Sequence, residues 1–192
     1  MQVGTEKALE LTEGIPKFMF INKIDNEKAR YKDVIEMLNE KFENKIVPMI
    51  SPEFKDGKFV KLHNLFEDYE GLDQEFKLQA KQSYDALMEL VAETDDNYLE
   101  KFFEGEELTT EEIKNGITIG VKKGDIVPVI SGSTINNIGT AEILASLENY
   151  IDPTYVDQAS PFKGTVFKTF IDPFVGKISY IHITHGSISK DK

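Results

Sequence analysis

Asn22, Lys23 and Asp25 come directly after a short apolar run, residues 18–21, and their side chains could recognise one edge of a flat polar ligand. A carboxylate at Asp25 can accept two parallel N–H hydrogen bonds, and guanine offers such an edge in its N1–H and 2-amino groups, whereas adenine does not. The apolar stem of Lys23 can lie along the face of a base. Asn22 can donate and accept at once, which would join neighbouring loops. An N-K-x-D tetrapeptide also occurs by chance, so its meaning depends on the elements that position it.

A second polar loop follows another predicted strand, in the stretch DIVPVISGS at residues 125–133. Ligands of open parallel sheets bind beyond the carboxyl ends of the strands. We therefore expect Asn22 and Asp25 to lie beside the loop that contains Gly132, Ser133 and Thr134. The backbone N–H groups of that loop would then face the guanine carbonyl.

Hydrophobic spacing and turn residues predict the elements that carry these two loops. Pro48 indicates an edge strand or a bulge, and Asp56-Gly57 and Asp172-Pro173 indicate hairpin turns. The elements occur in the order strand–helix, a helical block within residues 51–124, strand–helix and a β-hairpin. This order predicts an α/β fold: a parallel sheet with helices, a small α+β insert that contains the helical block, and a final hairpin. The predicted strands are 17–22, 45–50 and 125–133, the helices are 27–43, 75–93, 96–104, 110–122 and 138–150, and the final hairpin is 163–183. The expected core of the helical block is Phe76, Tyr84, Leu87, Phe102 and Phe103.

Composition narrows the possible functions. The 192 residues contain no Cys, which excludes disulfides, zinc thiolate sites and cysteine nucleophiles. No apolar run is long enough to span a membrane, and with no secretion signal pattern a reducing cytosol is the expected setting. The net charge of −12 is carried by residues 66–115, which hold 16 Asp and Glu against 4 Lys. This acidic segment disfavours binding to a phosphate backbone, and it represents either solvated helix faces or a docking surface for a protein partner.

The segments QVGTEKALELTEGIPKFMFINKIDNE, IVPVISGSTINNIGTAEILASLENYIDP and VFKTFIDPFVGKISYIHITHGSI resemble, in this order, translational GTPases of the elongation-factor-G type. The resemblance implies the carboxyl-terminal part of a P-loop-type G domain with a G-prime insert, followed by the first hairpin of a β-barrel domain. It implies that Asn22, Lys23 and Asp25 contact guanine, and that Ser133 and Thr134 line the base pocket through their backbone. Thr134 stands where the family commonly has Ala. The implied domains are 1–50 (partial G domain), 51–124 (G-prime insert), 125–153 (partial G domain) and 154–192 (linker and start of the barrel).

The resemblance also implies GTP or GDP as the ligand of the parent protein, with Mg²⁺, and the ribosome as its partner during translocation. The sequence has no G-x-x-x-x-G-K-[ST] motif, so we expect the guanine half of the site without its phosphate half or its Mg²⁺ ligands. We accordingly interpret the chain as an inactive fragment of a ribosome-dependent GTPase, with no catalytic residue, no metal site and no nucleotide bound. The acidic insert could dock the ribosomal stalk protein. We expect no membrane association, a cytoplasmic location, and self-association through the final hairpin.

Two alternatives stay open at this point. The chain could be a stand-alone acidic module that binds a protein partner. It could also derive from a paralogue of elongation factor G with another ribosomal role.

Overall fold

The computed structural model describes residues 3–12, 15–26, 28–43, 45–66, 71–151 and 159–190. The chain forms two compact units, Met1–Ile151 and Asp152–Lys192. In chain order the elements are α1 (Val3–Leu11), β1 (Met19–Ile21), α2 (Tyr31–Lys41), β2 (Ile46–Lys55), β3 (Lys58–Asn64), α3 (Gln74–Ala92), α4 (Asp96–Glu104), α5 (Thr110–Lys123), β4 (Val127–Ser131), α6 (Thr140–Tyr150), β5 (Lys163–Asp172) and β6 (Gly176–His185). The predicted linker at 154–161 lies largely outside the described residues.

The first unit is built on a four-stranded sheet with the order β1-β4-β2-β3. Strands β1, β4 and β2 are parallel, and β3 returns antiparallel to β2. The central strand β4 is buried along its whole length, as expected for a parallel strand covered on both faces. The predicted α/β fold class, with its parallel sheet and its separate hairpin, is confirmed.

Helices cover both faces of this sheet. On one face, Leu38 of α2 packs with Ile46, Val127 and Val129. On the other face, α3 and α5 bury a larger cluster that includes Leu87 and sheet residues of β2 and β4. The helical block thus contributes to the same core as the sheet, and its delimitation as an insert at 51–124 stays a prediction.

Local signals in the sequence explain several boundaries. Asp56 and Gly57 form the two-residue turn between β2 and β3, both with positive φ, as the Asp-Gly pair predicts. The pairing of β2 with β4 shifts between Pro48 and Ile50, which confirms the predicted bulge. Helix α5 begins with a capping box in which Thr109 and Glu112 satisfy each other's backbone N–H groups.

Three sequence expectations about the helices are wrong. Helix α2 begins at Tyr31, not at residue 27, because backbone turns bond Asn26 to Lys23 and Ala29 to Asn26. Phe103 is not a core residue, since 78% of it is exposed. It lies five positions after Tyr98, the α4 residue that packs on the core, and five positions turn an α-helix by about 140°.

The predicted core position of Phe102 is also incorrect, because 39% of this residue is exposed. Its ring makes an edge contact with Phe103. Leu87, by contrast, is fully buried, and Tyr84 packs against the same cluster. The core of the block is therefore supplied by α3 and α5 more than by α4.

The second unit contains the antiparallel pair β5–β6, with the predicted turn at Asp172-Pro173. The carboxylate of Asp172 accepts hydrogen bonds from the backbone N–H groups of Val175, at 2.9 Å, and Phe174, at 2.8 Å. These two bonds hold the pKa of Asp172 below its ordinary value, and the bond from Val175 has the larger effect. Many large apolar side chains of the hairpin are exposed, among them Val166, Phe167, Ile171, Phe174, Val175 and Tyr180.

Candidate guanine-recognition site

The N-K-x-D tetrapeptide lies at the carboxyl end of β1, at the edge of the parallel sheet. Asn22, Lys23 and Asp25 are exposed there, whereas Ile24 between them is only 1% exposed. The N–H of Ile24 also donates to the carbonyl of Gly132, at 3.2 Å. Ile24 therefore anchors the tetrapeptide in the core and leaves its polar side chains on the surface. Lys23 has a φ of 65°, a left-handed conformation that is uncommon outside glycine.

Residues 132–139 form a second loop, here called the base loop, at the end of the neighbouring strand β4. The N–H of Ser133 donates to the carbonyl of Ile138, and the N–H of Ile138 donates to that of Ser133, both at 2.9 Å. Ser133 is buried at this closure, whereas Thr134 is exposed. Because β1 and β4 are parallel neighbours, the base loop and the tetrapeptide meet at one edge of the sheet.

Asn22 joins the tetrapeptide to the base loop, as its chemistry predicted. Its Oδ1 accepts from the backbone N–H of Thr134 at 3.0 Å, and its Nδ2 donates to Thr134 Oγ1 at 3.1 Å. The same Oδ1 accepts from the N–H of Lys23, at 2.8 Å. The amide of Asn22 thus holds both loops in a fixed relation.

The base loop differs from expectation in its backbone donors. The N–H of Gly132 donates to the carbonyl of Ile21, that of Ser133 to Ile138, and that of Thr134 to Asn22. All three groups are used within the protein, so the expectation that they face a guanine carbonyl needs correction. The next donors along the loop belong to Ile135 and Asn136, which are exposed.

Asn136 is a residue at this site that sequence reasoning missed. Its Nδ2 donates to Oδ2 of Asp25. Asn137, the next residue, has a φ of 54° and accepts from Thr140 Oγ1 at 2.7 Å, which shapes the end of the loop. Two adjacent asparagines in a polar loop are ordinary turn residues, so the sequence alone carried no signal that one of them reaches Asp25.

Where α2 packs on β2, the hydroxyl of Tyr31 lies 3.3 Å from Oγ of Ser51. Burial raises the pKa of the Tyr31 hydroxyl, and the hydrogen bond with Ser51 partly offsets this effect. The half-buried side chain of Tyr31 therefore stays neutral near pH 7 and helps to seat α2 against β2.

No group of three or more His, Asp or Glu side chains that could hold a metal ion occurs among the residues that the structure describes. Within the same ranges, no helix is both long and apolar enough to cross a membrane. A cavity of about 610 Å³ lies beside the base loop, and its lining includes Phe59, Leu62 and Thr140. Its lining excludes the five predicted site residues, of which all but the buried Ser133 are exposed.

Comparisons with known proteins agree with this α/β fold. Residues 1–153 match the family model of the elongation factor Tu GTP binding domain. The chain is also similar to a crystal structure of a protein from Thermus thermophilus, with 28% sequence identity and a TM-score of 0.82. That similarity covers 97% of this chain and 30% of the other, so the chain spans less than a third of the length of its structural relative.

Proposed function

Since the chain belongs to the family of the elongation factor Tu GTP binding domain, we propose that its first unit recognises the guanine base of GTP or GDP. The resemblance to translational GTPases of the elongation-factor-G type is confirmed by this family and by the structural relative. In our proposal Asn22, Lys23 and Asp25 contact the base, and Ser133 and Thr134 form the wall of its pocket. The observation that carries the proposal is the pair of hydrogen bonds by which Asn22 holds Thr134, because they bring both loops to one sheet edge.

Each side chain has a distinct role in this proposal. Asp25 accepts the N1–H and 2-amino groups of guanine, and the stem of Lys23 covers one face of the base. Asn22 positions the base loop through its Oδ1, which already accepts two backbone N–H groups, so its contact with the base would be made by its Nδ2, which has a second N–H to donate. The guanine carbonyl would meet the N–H of Ile135, because the three preceding N–H groups of the loop are used within the protein.

The proposal also extends to the function of the longer parent protein. We propose that these residues belong to a ribosome-dependent elongation factor G in the cytoplasm, which uses GTP to promote translocation. In that protein, Mg²⁺ and the phosphates of GTP would be bound by residues outside this sequence. The sequence contains no phosphate-binding G-x-x-x-x-G-K-[ST] motif. We accordingly expect no GTP hydrolysis by these 192 residues, and turnover above background in a phosphate-release assay would contradict this.

A second candidate function rests on the acidic segment. Residues 66–115 carry 16 acidic residues against 4 Lys, and this charge suits a basic protein surface such as one on the ribosomal stalk. The segment could serve the elongation factor in this way, act as a stand-alone interaction module, or belong to a paralogue with another ribosomal role. Guanine selectivity distinguishes the stand-alone module from the other two possibilities, because a purely protein-binding module needs none.

The proposed function is tested by titrating the 192-residue chain with guanosine and adenosine while recording amide NMR spectra. We expect weak, millimolar-range binding of guanosine, with shifts at both loops, and weaker binding of adenosine. Asp25→Ala should reduce guanosine affinity by about 10-fold or more, since each hydrogen bond to a charged group contributes roughly 1.5–3 kcal/mol. The matched control is Asp33→Ala, which removes another exposed carboxylate, one paired with Arg30 at 3.1 Å. Equal binding of the two nucleosides, or equal effects of the two substitutions, would contradict the proposal.

A further inference from the structure

The carboxylate that the proposed function assigns to guanine already accepts a hydrogen bond from this chain. Asn136 Nδ2 donates to Asp25 Oδ2 across 111 positions of sequence. A side-chain amide NH₂ and the 2-amino group of guanine are both neutral N–H donors of similar geometry. A base that places two donors on the Asp25 carboxylate therefore meets Asn136 on one of the two oxygens.

We propose that Asn136 competes with guanine for Oδ2 of Asp25, so that binding of the base requires the Asn136 amide to leave. The proposal rests on the proposed function, because it assumes that guanine uses Asp25. Asn136 then lowers the affinity for the base without taking part in its recognition.

The structure allows Asn136 to leave without dismantling the site. Asn22 holds Thr134 through separate hydrogen bonds of 3.0 and 3.1 Å. The Ser133–Ile138 pair closes the base loop independently, with two backbone bonds of 2.9 Å. Because Asn136 is exposed, its side chain can rotate into water while the walls of the pocket stay in place.

The competition predicts a gain of affinity when Asn136 is truncated. A hydrogen bond at an exposed position contributes little net free energy, so Asn136→Ala should tighten guanosine binding by about 2- to 10-fold. Asn97→Ala is the matched control, because it removes another exposed asparagine whose Nδ2 donates to a carboxylate, that of Asp95, at 3.1 Å. This control should leave the guanosine affinity of the wild type unchanged.

Two NMR measurements on the 192-residue chain test the proposal. The first follows the side-chain NH₂ signals of Asn136 in the absence of any nucleoside. These signals should shift in Asp25→Ala, and unchanged signals would show that Asn136 does not contact Asp25, which overturns the proposal. The second is a guanosine titration of the wild type, Asn136→Ala and Asn97→Ala. Tighter binding by Asn136→Ala alone supports the competition. Equal or weaker binding overturns the competition but leaves the proposed function standing, whereas no guanosine binding by any of the three proteins overturns both.

Discussion

Replacing Gly132 by alanine tests whether close backbone packing shapes the base loop. A Cβ at this position would lie 2.2 Å from the carbonyl oxygen of Ile138 and 2.6 Å from Cζ of Phe20, and real Cβ atoms essentially never approach other heavy atoms within 3.0 Å. The Ile138 oxygen cannot move away without loss, because it accepts the Ser133 N–H that closes the loop. The substitution must therefore displace either the loop or the end of β4.

The expected magnitude follows from these contacts. A buried backbone group that loses its partner costs about 1–3 kcal/mol, and an added methyl group in a packed interior costs about 1–3 kcal/mol through strain. Because relaxation at one contact relieves the other, we expect a total destabilisation of about 2–4 kcal/mol. For a protein of this size, that corresponds to a fall in Tm of roughly 4–16 °C.

Gly120→Ala provides a matched control with similar crowding away from the base loop. A Cβ there would lie 2.5 Å from Cδ1 and 2.6 Å from Cγ1 of Ile126, which are side-chain atoms. Thermal unfolding by circular dichroism should show a lower Tm for both variants. Amide NMR should show displaced Asn22 and Thr134 signals only for Gly132→Ala. A Tm of Gly132→Ala within about 2 °C of the wild type, or equal loop shifts in both variants, would refute the reasoning.

Three further predictions concern recognition, acid stability and association. Asp25→Asn should favour xanthosine over guanosine in a competition titration, because the new amide can accept the N1–H of xanthine and donate to its C2 carbonyl. An unchanged preference for guanosine would contradict this prediction. The Lys101 ammonium and the N–H and hydroxyl of Thr109 lower the pKa of Glu112 to about 2. The Glu112 carboxylate therefore stabilises the fold fully above about pH 4.5, and this stabilisation is lost as the pH falls toward 2. Glu112→Gln should thus lower the Tm at pH 7 but not near pH 2, and equal Tm values at pH 7 would argue against this role. Deleting residues 154–192 removes exposed side chains such as Phe167 and Phe174 and should abolish self-association of the chain. Light scattering that shows the intact chain to be monomeric at high concentration would contradict self-association through the hairpin.

The amino-acid sequence by itself determined features that depend on neighbours a few positions apart. The Asp56-Gly57 turn, the capping box of Thr109 and Glu112, and the bounds of α4 were all predictable, because side-chain caps and turn conformations are local. The sequence also predicted that Asn22 and Thr134 would meet. That prediction needed only the rule that neighbouring parallel strands end at the same sheet edge.

Tertiary structure decided the features that depend on packing between distant segments. Phe103 is as apolar as any core residue, and only the way α4 docks turns it toward solvent. The N–H groups of the base loop are equivalent in sequence, and only folding assigns three of them to Ile21, Ile138 and Asn22. The contact of Asn136 with Asp25 joins residues 111 positions apart, a distance over which no local preference acts. The burial of Ile24 and of β4, together with the parallel pairing of β1 with β4, brings the two loops to a single edge of the sheet.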